Sequence, residues 1–200
     1  MKSKRRKDNM KIYVDDAFHY VSESRNYIYF IVGVFVLFVI IGFFVLPLSS
    51  RFSGMIDQIL NDILLKTEGL TGIRLILFIF SNNLQVSFLG VMLGAALGIF
   101  PFINAVINGA VLGYVFEKVY TATGGIWDFW RILPHGIFEL PAVFISLGLG
   151  IKLGAFILSK NPSEEFRYRL LNSIKVLLFI VMPLLIIAAI IEGLLITLYG

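Results

Sequence analysis

Between Arg74 and Glu117 the chain carries no Asp, Glu, Lys or Arg, a run of 42 positions from 75 to 116. As a single helix it would extend about 63 Å at about 1.5 Å per residue, roughly twice the ~30 Å hydrocarbon core of a bilayer. The run must therefore fold back on itself. Gly98-Ile99-Phe100-Pro101 near its centre is the expected turn, because proline cannot continue a helix. The spacing predicts one helix ending near Phe100 and a second from about Phe102 to Tyr120. Lipid rather than water is the medium in which such a segment is stable. The composition agrees, at 58% hydrophobic and only 15% charged against about 25% charged in soluble domains, with a mean hydropathy of +0.88. The expected fold class is all-α: a polytopic integral membrane helical bundle of about five transmembrane helices plus an amphipathic external helix.

The other apolar blocks divide similarly. Tyr27 to Leu48 is about 22 residues long, beyond the ~7–15 of a cleavable signal core, so it is expected to remain as a spanning helix that stops near Pro47. Trp127, Trp130 and Arg131 read as an interface belt before a helix from Pro134 to about Ser159. A polar segment, Lys160 to Ser173, separates it from a last helix, about Ile174 to Tyr199, interrupted by Pro183. The domain reading is a basic tail over residues 1–26, with a surface helix marked by Val14, Phe18 and Val21, and one transmembrane domain over residues 27–200. Within the latter, Phe52, Met55, Ile56, Ile59, Leu60, Ile63 and Leu64 recur at three-and-four spacing with polar residues between them. That pattern predicts an amphipathic helix over about 50–68, read first as a cover for the bundle and second as a lipid-sensing or docking surface.

The formal charge of +4 does not imply nucleic acid, because the cations flank the apolar segments instead of covering one face. Seven Lys and Arg precede the first spanning helix and Lys152, Lys160, Arg167, Arg169 and Lys175 lie near the loop before the last one; Arg51, Lys66, Arg74, Lys118 and Arg131 fall on the other side. This twelve-to-five bias predicts a multi-pass protein of the cell membrane with a cytoplasmic amino terminus and an extracytoplasmic carboxyl terminus. With zero Cys there are no disulfides or thiolate metal sites.

Gly90, Gly94 and Gly98, Gly109 and Gly113, and Gly150 and Gly154 form small-xxx-small stripes. We assign these to close packing within one chain ahead of a dimer interface, a homo-oligomer remaining the alternative. In Leu133-Pro134-His135-Gly136-Ile137-Phe138-Glu139-Leu140-Pro141, His135 and Glu139 stand four apart on one helix face. Pro141 also leaves the Ile137 carbonyl without its helical donor. Ionisable groups at membrane depth are costly and need partners or a wet cavity. Glu192 is expected at the same depth as Glu139, with Asn82, Asn83 and Gln85 as amide partners in the outer layer. Asn104 and Asn108 begin near the inner end of their helix, where a separate turn-fixing pair is an alternative role.

Pro134-His135-Gly136-Ile137-Phe138-Glu139-Leu140-Pro141-Ala142, together with Asn82-Asn83, Gly90, Pro101, Asn104, Asn108-Gly109, Gly113 and Ala189-Ile190-Ile191-Glu192, resembles the stage II sporulation protein M family over most of the chain. The resemblance implies a multi-helix membrane protein whose name-giving members act in forespore engulfment beside partners that remodel peptidoglycan. Hydrolysis there is attributed to the partners, which implies a scaffold role for this subunit. The family also occurs in bacteria and archaea that make no spores, so the resemblance carries fold further than it carries sporulation.

Three functional readings follow. A non-catalytic scaffold or assembly factor of an envelope- or membrane-remodelling complex, with membrane or envelope proteins as partners, ranks first. A transporter or channel-like protein in which His135, Glu139 and Glu192 handle a proton, a cation or a lipid headgroup ranks second, although the chain shows no internal repeat. An intramembrane enzyme ranks last: His135 and Glu139 lack the third ligand of a zinc site, and no His-Glu-x-x-His or Ser/His/Asp arrangement is present. No cofactor or metal is expected, and a purely structural hydrogen-bond network remains an alternative for every polar residue named.

Overall fold

The computed structural model describes residues 2–125 and 133–199, with side chains described for 11–125 and 136–195. Trp127, Trp130 and Arg131, the expected interface belt, lie outside the described residues. Among the described residues all regular structure is helical, in eight α-helices: α1 (Lys2–Glu23), α2 (Arg25–Phe44), α3 (Ser50–Thr67), α4 (Gly72–Met92), α5 (Ile99–Thr123), α6 (Leu133–Gly154), α7 (Pro162–Val176) and α8 (Met182–Tyr199). Five stretches are long and apolar enough to cross a membrane: 25–48, 72–95, 99–123, 136–158 and 162–195. This is an all-α polytopic bundle. Its surface bears Tyr29, Leu37, Ile40, Leu77, Phe88 and Ile186, as a lipid-facing surface requires.

The charge-free run folds back as expected, but the turn falls earlier than Gly98–Pro101. α4 ends in a 3-10 turn, Leu93–Ala95, and the reversal is made by Leu97 (φ 58°) and Gly98 (φ 71°) in succession. The left-handed region costs a residue with a Cβ on the order of 1–2 kcal/mol, so glycine suits the second position. Pro101, expected to break the helix, sits in the first turn of α5, where its missing N–H would have had no helical partner.

Helix seams run through the small-residue stripes. A Cβ on Gly94 would meet the Gly150 backbone, one on Gly150 the Gly90 carbonyl, and one on Gly154 the backbone of Gly94 and Gly98, so α4 and α6 touch main chain to main chain. Along α2 and α5, Gly42 faces the Ala110 carbonyl, Gly109 the Phe35 carbonyl and Gly113 the Val39 carbonyl. Gly148 of α6 lies on the Ile28 backbone of α2. The stripes therefore pack within one chain. α6 is central, with more than half of its spanning stretch buried. Around it Val91, Ala142, Leu149, Leu153, Val181 and Leu185 form the main core, joined by Ala17 and Tyr20 of α1.

The polar segment expected between the last two spanning helices is itself helical. Pro162 occupies the first turn of α7 with Glu164 and Glu165 beside it, a start in which proline costs nothing and acidic groups meet the positive end of the helix dipole. α7 passes into α8 through a π-helical turn, Leu177–Val181, immediately before Pro183. Proline removes the N–H that would bond the Phe179 carbonyl, and a wider turn absorbs the mismatch. α1 docks along this rod. Lys175 pairs with Asp16 at 2.9 Å, Tyr13 stacks on Phe179, and Ala17, Tyr20 and Ser24 are buried. Of the expected apolar face of α1, Val21 packs here while Phe18 is 60% exposed, because the docked face runs through Ala17, Tyr20 and Ser24.

Candidate functional site

Asn82 and Asn83 are adjacent on α4, Glu139 is in the second turn of α6, and Glu192 is in α8. All four line one cavity of about 450 Å³. Glu192 and Asn83 are the side chains whose charge and polarity act on the Glu139 carboxyl. Leu75 and Ile79 supply an apolar wall, and Ile63, Leu64 and Thr67 of α3 supply another. α3 is thus part of the site. Its position is fixed by Asp57, whose carboxylate accepts from the Tyr114 hydroxyl at 3.2 Å and pairs with the Lys118 ammonium at 3.1 Å. Those partners stand nine and five residues before the end of α5, about 14 and 8 Å at about 1.5 Å per residue. α3 therefore lies beside the last turns of α5, not beyond its end.

A second cavity of about 560 Å³ adjoins the first and shares Ile63 and Glu139 with it. Its other walls are mainly apolar: Phe35, Val111, Leu112, Val115, Phe116, Ile137 and Leu140, with Asn108. The Asn108 amide donates to the Asn104 side-chain oxygen at 3.0 Å and to the Asn104 carbonyl at 2.9 Å. Asn104 lines neither cavity, so its part is to orient Asn108. Gln85, expected beside Asn82 and Asn83, faces a different cavity with Ser81, Phe88 and Leu178. It stands two residues from Asn83, about 200° around the axis, though only about 60° from Asn82 at about 100° per residue, so it lies on the flank of α4 turned away from Asn83. His135 is in the first turn of α6, four residues before Glu139; its side chain lies outside the described residues. Among the described residues no group of three His, Cys, Asp or Glu could hold a metal ion.

At the opposite end of the bundle lies a cluster that the sequence reading missed. Lys152 of α6, counted there as a loop cation, is only 8% exposed. Its ammonium donates to Ser24 Oγ at 3.1 Å, pairs with Glu23 at 3.6 Å and sits 3.8 Å from the centre of the Tyr20 ring. Arg169 of α7 donates to the Lys152 carbonyl and pairs with Glu165 at 2.6 Å. Burial pushes the Tyr20 hydroxyl above the ordinary tyrosine range, opposed by Arg169 nearby. The available signal was a cation inside an apolar stretch, which must find partners at that depth.

The chain is 28% identical over 182 residues to an uncharacterized protein of Methanocaldococcus jannaschii, covering 85% of this chain and 81% of that one. It is 31% identical over 119 residues to a second uncharacterized protein of the same organism, covering 57% of this chain and 66% of that one. No solved structure matches it. The family model described as Stage II sporulation protein M matches residues 31–195, which include the glycine seams and both carboxyl groups of the cavity, and the chain belongs to that family.

Proposed function

We propose that the chain is a non-catalytic membrane scaffold of an envelope- or membrane-remodelling complex, oriented with α1 in the cytoplasm and α3 toward the outside. The glycine-seamed frame carries this reading. α2 with α5 and α4 with α6 meet through carbonyl oxygens set against glycine Cα atoms, and the two pairs are joined by Gly148 on the Ile28 backbone and by a core of Ile31, Ala105 and Leu147. Sliding within either pair would drive main chain into main chain; a fixed platform is favoured over the rocking of alternating access. On this platform α3 presents Phe52, Met55 and Ile59 outward, each 42–54% exposed, a row suited to a partner helix in the outer leaflet. The scaffold role implied by the family resemblance agrees.

Photo-crosslinkers placed at Phe52 and Met55 in native membranes test this. A discrete adduct with one second polypeptide, absent from the same probe at lipid-facing Phe88, is expected. Lipid adducts alone at all three positions would remove the scaffold reading.

One observation favours a second reading. Two carboxyl groups in a single membrane-depth cavity are what a pathway for protons or cations would use. Flux into liposomes that falls on Glu139→Gln or Glu192→Gln supports transport; flux unchanged by either substitution removes it.

A further inference from the structure

We propose that the paired cavities under α3 form a single site for an amphiphile carrying a primary ammonium head on a hydrocarbon tail. The proposal goes beyond the scaffold role and stands whether or not a partner docks on α3.

The polar chamber presents oxygen acceptors from three helices: the carboxyl groups of Glu139 and Glu192 and the carboxamides of Asn82 and Asn83. If both carboxyl groups are ionised they repel across a medium of low effective dielectric, and a positive group between them removes that cost. A primary ammonium offers three donors and no acceptor, which matches an acceptor-rich pocket. A hard divalent metal is a poorer fit, because among the described residues no three His, Cys, Asp or Glu converge to hold one, and apart from Thr67 the rest of this wall is Leu, Ile and Phe.

The tail follows from the second chamber. It joins the first at Glu139 and Ile63, and its walls are Phe35, Val111, Leu112, Val115 and Leu140. At about 450 and 560 Å³, each chamber falls within the ~300–1,000 Å³ of ordinary ligand pockets. A small free ammonium would leave the larger, apolar chamber without a role. A neutral amphiphile would leave the carboxyl pair without a counter-charge. Ile63 of α3 walls both chambers, so this helix is in contact with head and tail alike.

The experiment uses purified full-length protein in phosphatidylcholine nanodiscs and a diazirine-bearing dodecylamine, with dodecanol and ethylammonium as competitors and a diazirine-bearing dodecanol as the uncharged probe. Saturable amine labelling that maps to Val111–Val115 and Leu140 is expected. It should fall at least tenfold in the Glu139→Gln/Glu192→Gln double variant and in Leu112→Trp, which fills the tail chamber. Both variants are first checked for monodispersity and helical content, and the second keeps the test decisive if the first fails to fold. Equal labelling by the amine and alcohol probes would overturn the proposal, as would labelling indifferent to both variants. Competition by ethylammonium as strong as that by unlabelled dodecylamine would also overturn it, since that marks a site for a small free cation. A lost partner adduct at Phe52 with intact amine labelling would refute the scaffold alone.

Discussion

Adding one methyl group to Gly150 and to Gly33 should change stability in opposite directions. On Gly150 the new Cβ would land on the Gly90 carbonyl oxygen and 3.1 Å from Pro101 Cγ. Those obstacles are main chain and a ring, neither of which can rotate aside, so the cost lies at the upper end of the ~1–3 kcal/mol seen for overpacked cores. Alanine recovers about 1 kcal/mol over glycine inside a helix, leaving a net loss of about 2 kcal/mol by these figures. At about 1.4 kcal/mol per decade this is a roughly thirty-fold shift toward the unfolded state. Around Gly33 nothing lies within 4 Å, so only the helix gain remains and Gly33→Ala should stabilise by up to about 1 kcal/mol. Reversible unfolding in mixed micelles of increasing denaturing-detergent fraction, followed by circular dichroism, measures both. Equal stability of Gly150→Ala and the parent would refute the main-chain seam. So would losses of the same size in both variants, since those would mark a general effect of the substitution.

Three further outcomes follow from the polar contacts. Glu23→Gln weakens the ion pair of buried Lys152; because Glu23 is itself partly exposed, the loss should be about 1 kcal/mol, well below the ~3–5 of a fully buried pair, and limited proteolysis between α1 and α2 should quicken. The Tyr20 hydroxyl has a raised pKa in the folded chain, so its contribution is present below pH ~10 and is lost as pH rises beyond that value. α1 should therefore undock at strongly alkaline pH, and Tyr20→Phe should lessen this dependence without abolishing it, since Lys152 and Tyr168 lie in the same cluster, as read by a spin-label distance from α1 to α7. Reporter enzymes fused after Gly200 should show activity only outside the cytoplasm, and a cytoplasmic readout would reverse the orientation inferred from the Lys and Arg count.

Features that depend on near neighbours in sequence were legible in the residues. The hairpin followed from a charge-free run too long for one crossing, and the seams from glycines four apart, because one helix turn brings such positions into line. Glu139 and Glu192 were matched in depth by counting residues from helix ends, and they do line one cavity. The errors arose where composition was weighed above local signals. Residues 160–173 read as a loop because they are polar, although Pro162, Glu164 and Glu165 together are a helix start. Gln85 joined the asparagines by proximity in sequence, whereas it lines a different cavity. The burial of Lys152 had no local pattern to reveal its partner. Its contact with Ser24 spans 128 positions and follows from α2 packing on α6, one turn from where Gly148 meets Ile28.

The molecule divides into a part that cannot move cheaply and a part that can. α2 with α5 and α4 with α6 are joined where glycine meets carbonyl oxygen, so displacing any one of these helices separates main chains and forfeits packing along its seam. α3 is held mainly by Asp57 and by Ile56, its only buried residue. α8 continues from a π-helical turn beside a proline, but Leu185, Ala188 and Ala189 bury it against the frame. The cavity lies between the two parts: Asn82, Asn83, Glu139 and Glu192 belong to packed helices, while Ile63 belongs to α3. Occupancy of the cavity would therefore be felt first by α3, and the exposed row of α3 would report it to whatever lies alongside.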